Sequence, residues 1–280
     1  MSVLTFHRLD GSTYIPEQVA MSAWKSTDIS GPAVVGAVAR SLEIDTGDAE
    51  FQPARLTVDL FRPVHSAPFE VWTSMVRDGN RIRVADAELI QDGETKTRAT
   101  LVQLRRSENP AGEVWSPEVD VEVPPEYATE PMPPEQFPMY QTAGAGWSND
   151  MTAHQVAERR AYWFRPIDVV AGEEASPFQR AAILSEGTSL ITNWGTEGIG
   201  FINADLTLSL ARLPRTPDLG MRADMHVESE GVSVGTTAIY DRDGYIGTGG
   251  VVAVSNAKRQ IDWSHRKINN RGVEPDGRGA

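Results

Sequence analysis

The 280-residue chain contains no cysteine, which excludes a disulfide framework, a thiolate nucleophile, an iron–sulfur cluster and Cys-ligated zinc. Basic residues are in the minority, 26 Lys and Arg against 39 Asp and Glu for a net charge of −13. That balance argues against a surface built to hold a nucleic-acid backbone. No apolar run approaches the roughly 20 residues needed to cross a bilayer. The first residues, MSVLTFHRLDGSTYIPEQ, lack the basic segment and apolar stretch of a secretory signal. A cytoplasmic protein with no membrane span and no nucleic-acid partner is expected. What is present, 40% hydrophobic and 23% charged residues with 24 Gly and 18 Pro, is the composition of a globular chain able to bury a substantial core.

Charge and proline are unevenly spread. Residues 107–141 hold eight of the 18 prolines, eight acids and no Lys or Arg. Fixed φ angles and like charges predict an extended connection laid over a surface. This acidic linker carries −8 and the polar tail, 256–280, carries +3, leaving −8 for the two flanking units, 1–106 and 142–255. Much of the tail is expected to be mobile.

The flanking units repeat one another. Ala54, Leu56, Thr57, Leu60 and Arg62 recur as Ala204, Leu206, Thr207, Leu210 and Arg212 at an offset of 150, and the Asp92-Gly93 turn recurs as Asp243-Gly244 at an offset of 151. Each unit opens with a helix signal, Ser30-Gly31-Pro32 and Ser176-Pro177, a Ser cap with Pro in the first turn. Runs of β-branched residues follow, punctuated by Asp78-Gly79, Asp92-Gly93, Glu230-Gly231 and Asp243-Gly244, which predict antiparallel hairpins. Residues 32–39 are apolar almost all round, so the first helix should be covered on most sides. The expectation is a duplicated α+β unit whose antiparallel sheets wrap central helices.

Glu186 draws attention because helical spacing puts it on one stripe with Ile183 and Leu190. Partial desolvation there raises a carboxyl pKa toward the range useful for accepting a proton from water; the plainer alternative is a solvated Glu on a helix edge. The repeat sets Gly36 opposite it, so the carboxylate belongs to the second unit alone. Asn203, Asp205 and Thr207 follow one another at strand period and are expected to share a face, with Thr248 on an adjacent strand. Thr207 and Thr248 read more simply as ladder-pairing residues.

The segments LTVDLFRPV (56–64), VRDGNRIRVADAELIQDGETKTRATLVQLRR (76–106), ILSEGTSL (183–190), GIGFINADLTLSLAR (198–212) and DRDGYIGTGGVVAV (241–254) resemble the double hotdog acyl-CoA thioesterases of the thioesterase II type. The resemblance implies a double hotdog fold and an Asp, a Ser or Thr, and a Gln that together polarise the water attacking a thioester. Glu186 stands at the Asp position, Asn203 at the Ser or Thr position and Val252 at the Gln position. It also implies that the two fused units form one sheet pair, further assembly into a homo-oligomer being open.

Other patterns have simpler readings. Gly231 to Gly235 fits G-x-S-x-G around Ser233, with Asp262 and His265 following in triad order. A β-branched run follows where a nucleophile elbow needs a helix, so a strand start is favoured. Gly247-Thr248-Gly249-Gly250 lacks the Lys and the helix of a phosphate loop and reads as a close backbone approach. His7, His65, His154, His226 and His265 show no metal-ligand spacing, so no metal is expected. Trp194 reads as core, or as the wall of an acyl tunnel. Arg81, Arg83, Arg105, Arg106, Arg180, Lys258 and Arg259 are candidate partners for the phosphates of CoA. The leading expectation is an acyl-CoA thioesterase-like hydrolase using Glu186 and Asn203 with no cofactor. The alternative is a non-catalytic acyl-CoA binder, to which Val252 points.

Overall fold

The computed structural model describes residues 4–118, 120–133 and 136–263, and the backbone of the short segments 268–269 and 272–273. His265 and most of the expected mobile tail, 256–280, lie outside the described residues.

In chain order the first unit comprises β1 (Thr5–Asp10), β2 (Thr13–Pro16), α1 (Gly31–Thr46), β3 (Phe51–Leu60), β4 (Glu70–Asp78), β5 (Ile82–Gln91) and β6 (Glu94–Arg105). The second begins with β7 (Met139–Thr142), β8 (Gly146–Ser148), β9 (Ala161–Phe164), β10 (Asp168–Val170) and α2 (Pro177–Asn193). After α2 come β11 (Trp194–Gly195), β12 (Gly198–Ile199), β13 (Phe201–Asn203), β14 (Asp205–Leu210), β15 (Leu219–Ser229), β16 (Val232–Asp241) and β17 (Gly244–Ser255).

Both helices begin at the expected serines. Ser176 caps α2, its hydroxyl accepting from the Gln179 N–H at 3.1 Å, whereas Ser30 makes no side-chain cap bond. The difference follows from the proline. Pro177 is the first residue of α2 and leaves the next two N–H groups free, while Pro32 is the second residue of α1 and removes one of the two donors a cap uses. The hairpin signals also hold. Asp92 and Gly93 take φ 56° and 75°, and Glu230 and Gly231 take 51° and 82°, the left-handed pairs that two-residue hairpins require.

Among the described residues, twelve strands form one antiparallel sheet in the order β4-β5-β6-β3-β14-β17-β16-β15-β9-β7-β8, with β13 pairing β17. Its centre is the β3–β14 ladder, in which Thr57 pairs with Thr207. These residues are repeat equivalents, so a local two-fold axis passes between them and joins the units. On β14, Leu206, Leu208 and Leu210 are buried while Asp205, Thr207 and Ser209 are half-buried, which directs the apolar face toward the helices. The helices run antiparallel: Gly36 of α1 lies against Ile183 of α2, and Glu43 accepts from Ser176 Oγ at 2.6 Å and Gln179 Nε2 at 2.8 Å.

The proline-rich stretch lies over the second unit. Glu122 O accepts from the Tyr240 hydroxyl at 2.9 Å, Tyr127 O accepts from Arg242 Nε at 2.9 Å, and Met132 is buried with Met139, Trp163 and Tyr240 in a second, smaller core. Strand β7 begins inside the stretch, at Met139, because Met139 and Tyr140 pair with Trp163 and Tyr162 of β9 and bury their side chains.

Candidate active site

Where α2 meets the first turn of α1, the Glu186 carboxyl rests against Gly31. A Cβ at Gly31 would overlap Glu186 Oε1, so glycine is what admits the carboxyl. Asn203 Nδ2 donates to Glu186 Oε1 at 3.5 Å. With a single long hydrogen bond to offset it, burial dominates and pushes the Glu186 carboxyl up to about 7, Asn203 working in the opposite direction. Glu43, in the last turn of α1 and against the start of α2, takes two shorter bonds. The buried Tyr162 phenol is held well above its ordinary value by burial, with Tyr140 and the Glu186 carboxyl adding to the effect.

Asn203 reaches Glu186 because of a register slip. It pairs with Ala253, but four residues later Thr207 pairs with Gly250, and the Ala204 N–H bonds to Val252 O in between. One extra residue flips the side-chain alternation. Asn203 faces inward with buried Ala253, while Asp205 and Thr207 face outward. The expectation that the three share a face is therefore corrected. Asp205 Oδ1 accepts from the Val252 N–H at 2.6 Å, which pins the slip.

Val252 is 40% exposed and alternates with the buried, inward-facing Val251 and Ala253. Its side chain is on the face of the sheet opposite Glu186, and only its backbone takes part. Thr248 is likewise exposed on the outer face. Gly36, the repeat counterpart of Glu186, packs against Ile183 and Val169, so the carboxylate has no twin. Gly31 went unrecognised as a site residue because the Ser-Gly-Pro signal marks a helix start and says nothing of what packs against it. Tyr162 carries no local signal at all.

Ser233 is the second residue of β16, a strand start as favoured, and is buried there, donating to Asn193 Oδ1 at 2.8 Å. Asp262 Oδ1 accepts from Gln155 Nε2 at 2.9 Å. The structure thus employs Ser233 in tying α2 to the sheet. Gly247 and Gly249 are close approaches: a Cβ would overlap Ser209 O at the first and the Thr188 and Thr237 hydroxyls at the second. No cluster of metal-ligating residues occurs among the described residues. His7 is driven down to about 4 by burial, partly countered by its hydrogen bond to Ala33 O. Of the candidate cations, Arg83 pairs with Asp48 and Asp78, Arg105 with Glu50 and Arg180 with Glu174. Arg81, Arg106, Lys258 and Arg259 have no carboxylate partner among the described residues. Trp194 is 2% exposed, packs edge-on to Tyr140 and Trp263, and lines a cleft of about 640 Å³ beyond the end of α2.

Two repeats, each a helix wrapped by antiparallel strands and joined through equivalent strands, make this a double hotdog protein of the α+β class. A profile described as the acyl-CoA thioesterase N-terminal domain matches residues 22–104, and one described as the acyl-CoA thioesterase C-terminal domain matches residues 110–250. The chain belongs to this acyl-CoA thioesterase family. Among solved structures it is similar to the TesB protein of Mycobacterium avium subspecies paratuberculosis, with TM-score 0.64 and 14% identity, covering 89% of this chain and 94% of that one. It is similar also to a hot dog fold protein of Alicyclobacillus acidocaldarius, with TM-score 0.63, 19% identity and coverages of 89% and 95%. Acyl-CoA thioesterase II TesB2 of Mycobacterium marinum follows with TM-score 0.57, 14% identity and coverages of 89% and 93%. At these identities the likeness concerns the fold. No curated protein matches the chain. No helix among the described residues is long and apolar enough to cross a membrane.

Proposed function

We propose that the protein hydrolyses an acyl-CoA thioester to the free acid and CoA in the cytoplasm, with Glu186 as general base. The supporting observation is a half-buried carboxyl, raised to about 7, held between Asn203 and the start of α1. Near neutral pH such a group is divided between its two forms, the condition in which a carboxylate both takes and returns a proton efficiently. Ionised Glu186 removes a proton from water, and the oxygen attacks the thioester carbonyl carbon. The tetrahedral adduct collapses with cleavage of the C–S bond, and the proton on Glu186 passes to the departing thiolate. Asn203 orients the water or the carbonyl oxygen through its amide. Water is the only co-reactant, so the step needs no cofactor. Arg81, Arg106, Lys258 and Arg259 remain as partners for CoA phosphates.

The test is release of free thiol from a panel of short, long and aromatic acyl-CoAs. Turnover that is insensitive to a fluorophosphonate supports the water mechanism. Tight acyl-CoA binding with no turnover of any member supports the non-catalytic binder instead.

Gly31→Ala is a second expected result. The added methyl displaces the carboxyl, and a shift of about 1 Å costs on the order of 10²-fold in kcat. The pH at half-maximal rate should move away from about 7, a change that a purely structural role for Gly31 would not produce. An unchanged kcat and pH profile would show that the Gly31 contact does not position the base.

A further inference from the structure

Three hydrogen bonds clamp the slip that turns Asn203 inward. The Ala204 N–H donates to Val252 O at 2.8 Å, the Ala204 carbonyl accepts from the Leu60 N–H at 2.8 Å, and Asp205 Oδ1 accepts from the Val252 N–H at 2.6 Å. The first two are backbone bonds and the third comes from a side chain. An extra residue in one strand leaves part of the ladder unpaired. At Val252 the carbonyl keeps a backbone donor, and the N–H is taken by the Asp205 carboxylate instead.

The first unit carries the same slip without this carboxylate. On β3 it falls between Pro53 and Arg55, which pair with Gln103 and Val102 of β6. The offset of 150 makes these residues the equivalents of Asn203, Asp205, Ala253 and Val252. A guanidinium has no acceptor, so Arg55 cannot take the N–H that Asp205 takes. The slip therefore belongs to the duplicated fold and forms without an acid at this place. What the second unit adds coincides with the site: the unit with Asp205 has Glu186 and Asn203, and the unit with Arg55 has Gly36 and Pro53 in their places. Asp205 is also costly where it stands. It pairs across the β3–β14 ladder with Asp59, and like charges directly opposite one another are destabilising.

Resting on the hydrolase reading, we infer that Asp205 is a positioning residue for the reaction, holding the Asn203 amide on the Glu186 carboxyl from the opposite face of the sheet. The Asn203–Glu186 bond is 3.5 Å long, at the limit beyond which such a contact is no longer a hydrogen bond. Asn203 is two residues from Asp205, so a small shift of the clamped backbone is enough to part the two side chains.

The experiment measures kcat, KM and the pH at half-maximal rate of Asp205→Ala, Asp205→Arg and Asp205→Asn on the acyl-CoA panel. Asp205→Arg copies the slip of the first unit and relieves the like-charge pair, so it should remain folded. Both Asp205→Ala and Asp205→Arg should lower kcat by about tenfold or more, with KM within about twofold of wild type. Their pH at half-maximal rate should rise above about 7, because the Asn203 bond holds the Glu186 carboxyl down. Asp205→Asn keeps an acceptor oxygen and should recover most of kcat. Arg55→Ala, at the equivalent place in the first unit, should leave kcat and the pH profile as they are. A lowered denaturation midpoint with kcat and pH profile unchanged is the mark of a purely structural Asp205 and overturns the inference, as does an equal loss of kcat in Asp205→Asn. No turnover of any thioester by the wild type overturns the hydrolase reading alone. An NMR titration of the Glu186 carboxyl then decides the positioning role: a midpoint raised in Asp205→Ala supports it, and an unchanged one overturns it.

Discussion

Glu186→Gln should abolish most thioester hydrolysis, a loss of about 10²–10⁴-fold, and should also make the protein more stable at alkaline pH. Both effects come from one carboxyl. The wild-type rate should rise with pH through about 7 and level off above, because the base must be ionised to take a proton from water. Stability follows the opposite course. The folded-state pKa of about 7 lies above the ordinary value of 4.5, so below 4.5 the group is neutral in both states and costs nothing. Between the two values the unfolded chain ionises first, and stability falls as pH rises. Above about 7 the loss is complete, up to about 3 kcal/mol at 1.36 kcal/mol per pKa unit. Glutamine stays neutral and escapes this penalty. Urea titrations of both proteins at pH about 4 and about 8 should show a stability difference that grows with pH. A difference independent of pH would mean that Glu186 is not desolvated as described.

The largest structural effect is expected at Asp218. Fully buried, it accepts from Arg242 Nη2 at 2.6 Å, Arg242 Nη1 at 2.9 Å, the Met132 N–H at 3.0 Å and Trp163 Nε1 at 3.2 Å. Arg242 in turn donates to Tyr127 O and Glu130 O and lies over Trp163. Asp218→Ala strips Arg242 of its counter-charge and leaves two buried donors unmade, a cost of about 3–5 kcal/mol. The same change releases Met132, so cleavage by protease within residues 107–133 should accelerate. Replacing Arg242 by Met together with Asp218→Ala should cost less than Asp218→Ala alone, since no unpaired charge is then buried. A loss below about 1 kcal/mol, with proteolysis unchanged, would show that this pair does not fasten the stretch.

Sequence reasoning succeeded where neighbours along the chain carry the physics. The β-branched runs and Gly turns mark the hairpins, Ser-Pro marks the helix starts, and the offset of 150 makes Thr57 and Thr207 repeat equivalents, which the structure then pairs in the ladder that joins the units. The Ile183-Glu186-Leu190 stripe likewise singled out a carboxylate that proved half-buried. It fell short wherever facing depends on a register. Strand period alone put Asn203, Asp205 and Thr207 on one face, and the slip at Ala204 separates them.

Fold class, the duplication and the asymmetric carboxylate were already written in residue spacing, because helix and strand periodicities are local properties. The closeness of Gly31 to Glu186, the inward turn of Asn203, the outward turn of Val252 and the cleft beyond α2 came only with tertiary structure. Each depends on how a second element, distant in the chain, is shifted or cut short against the first, and a shift of one residue is enough to exchange the faces of a strand.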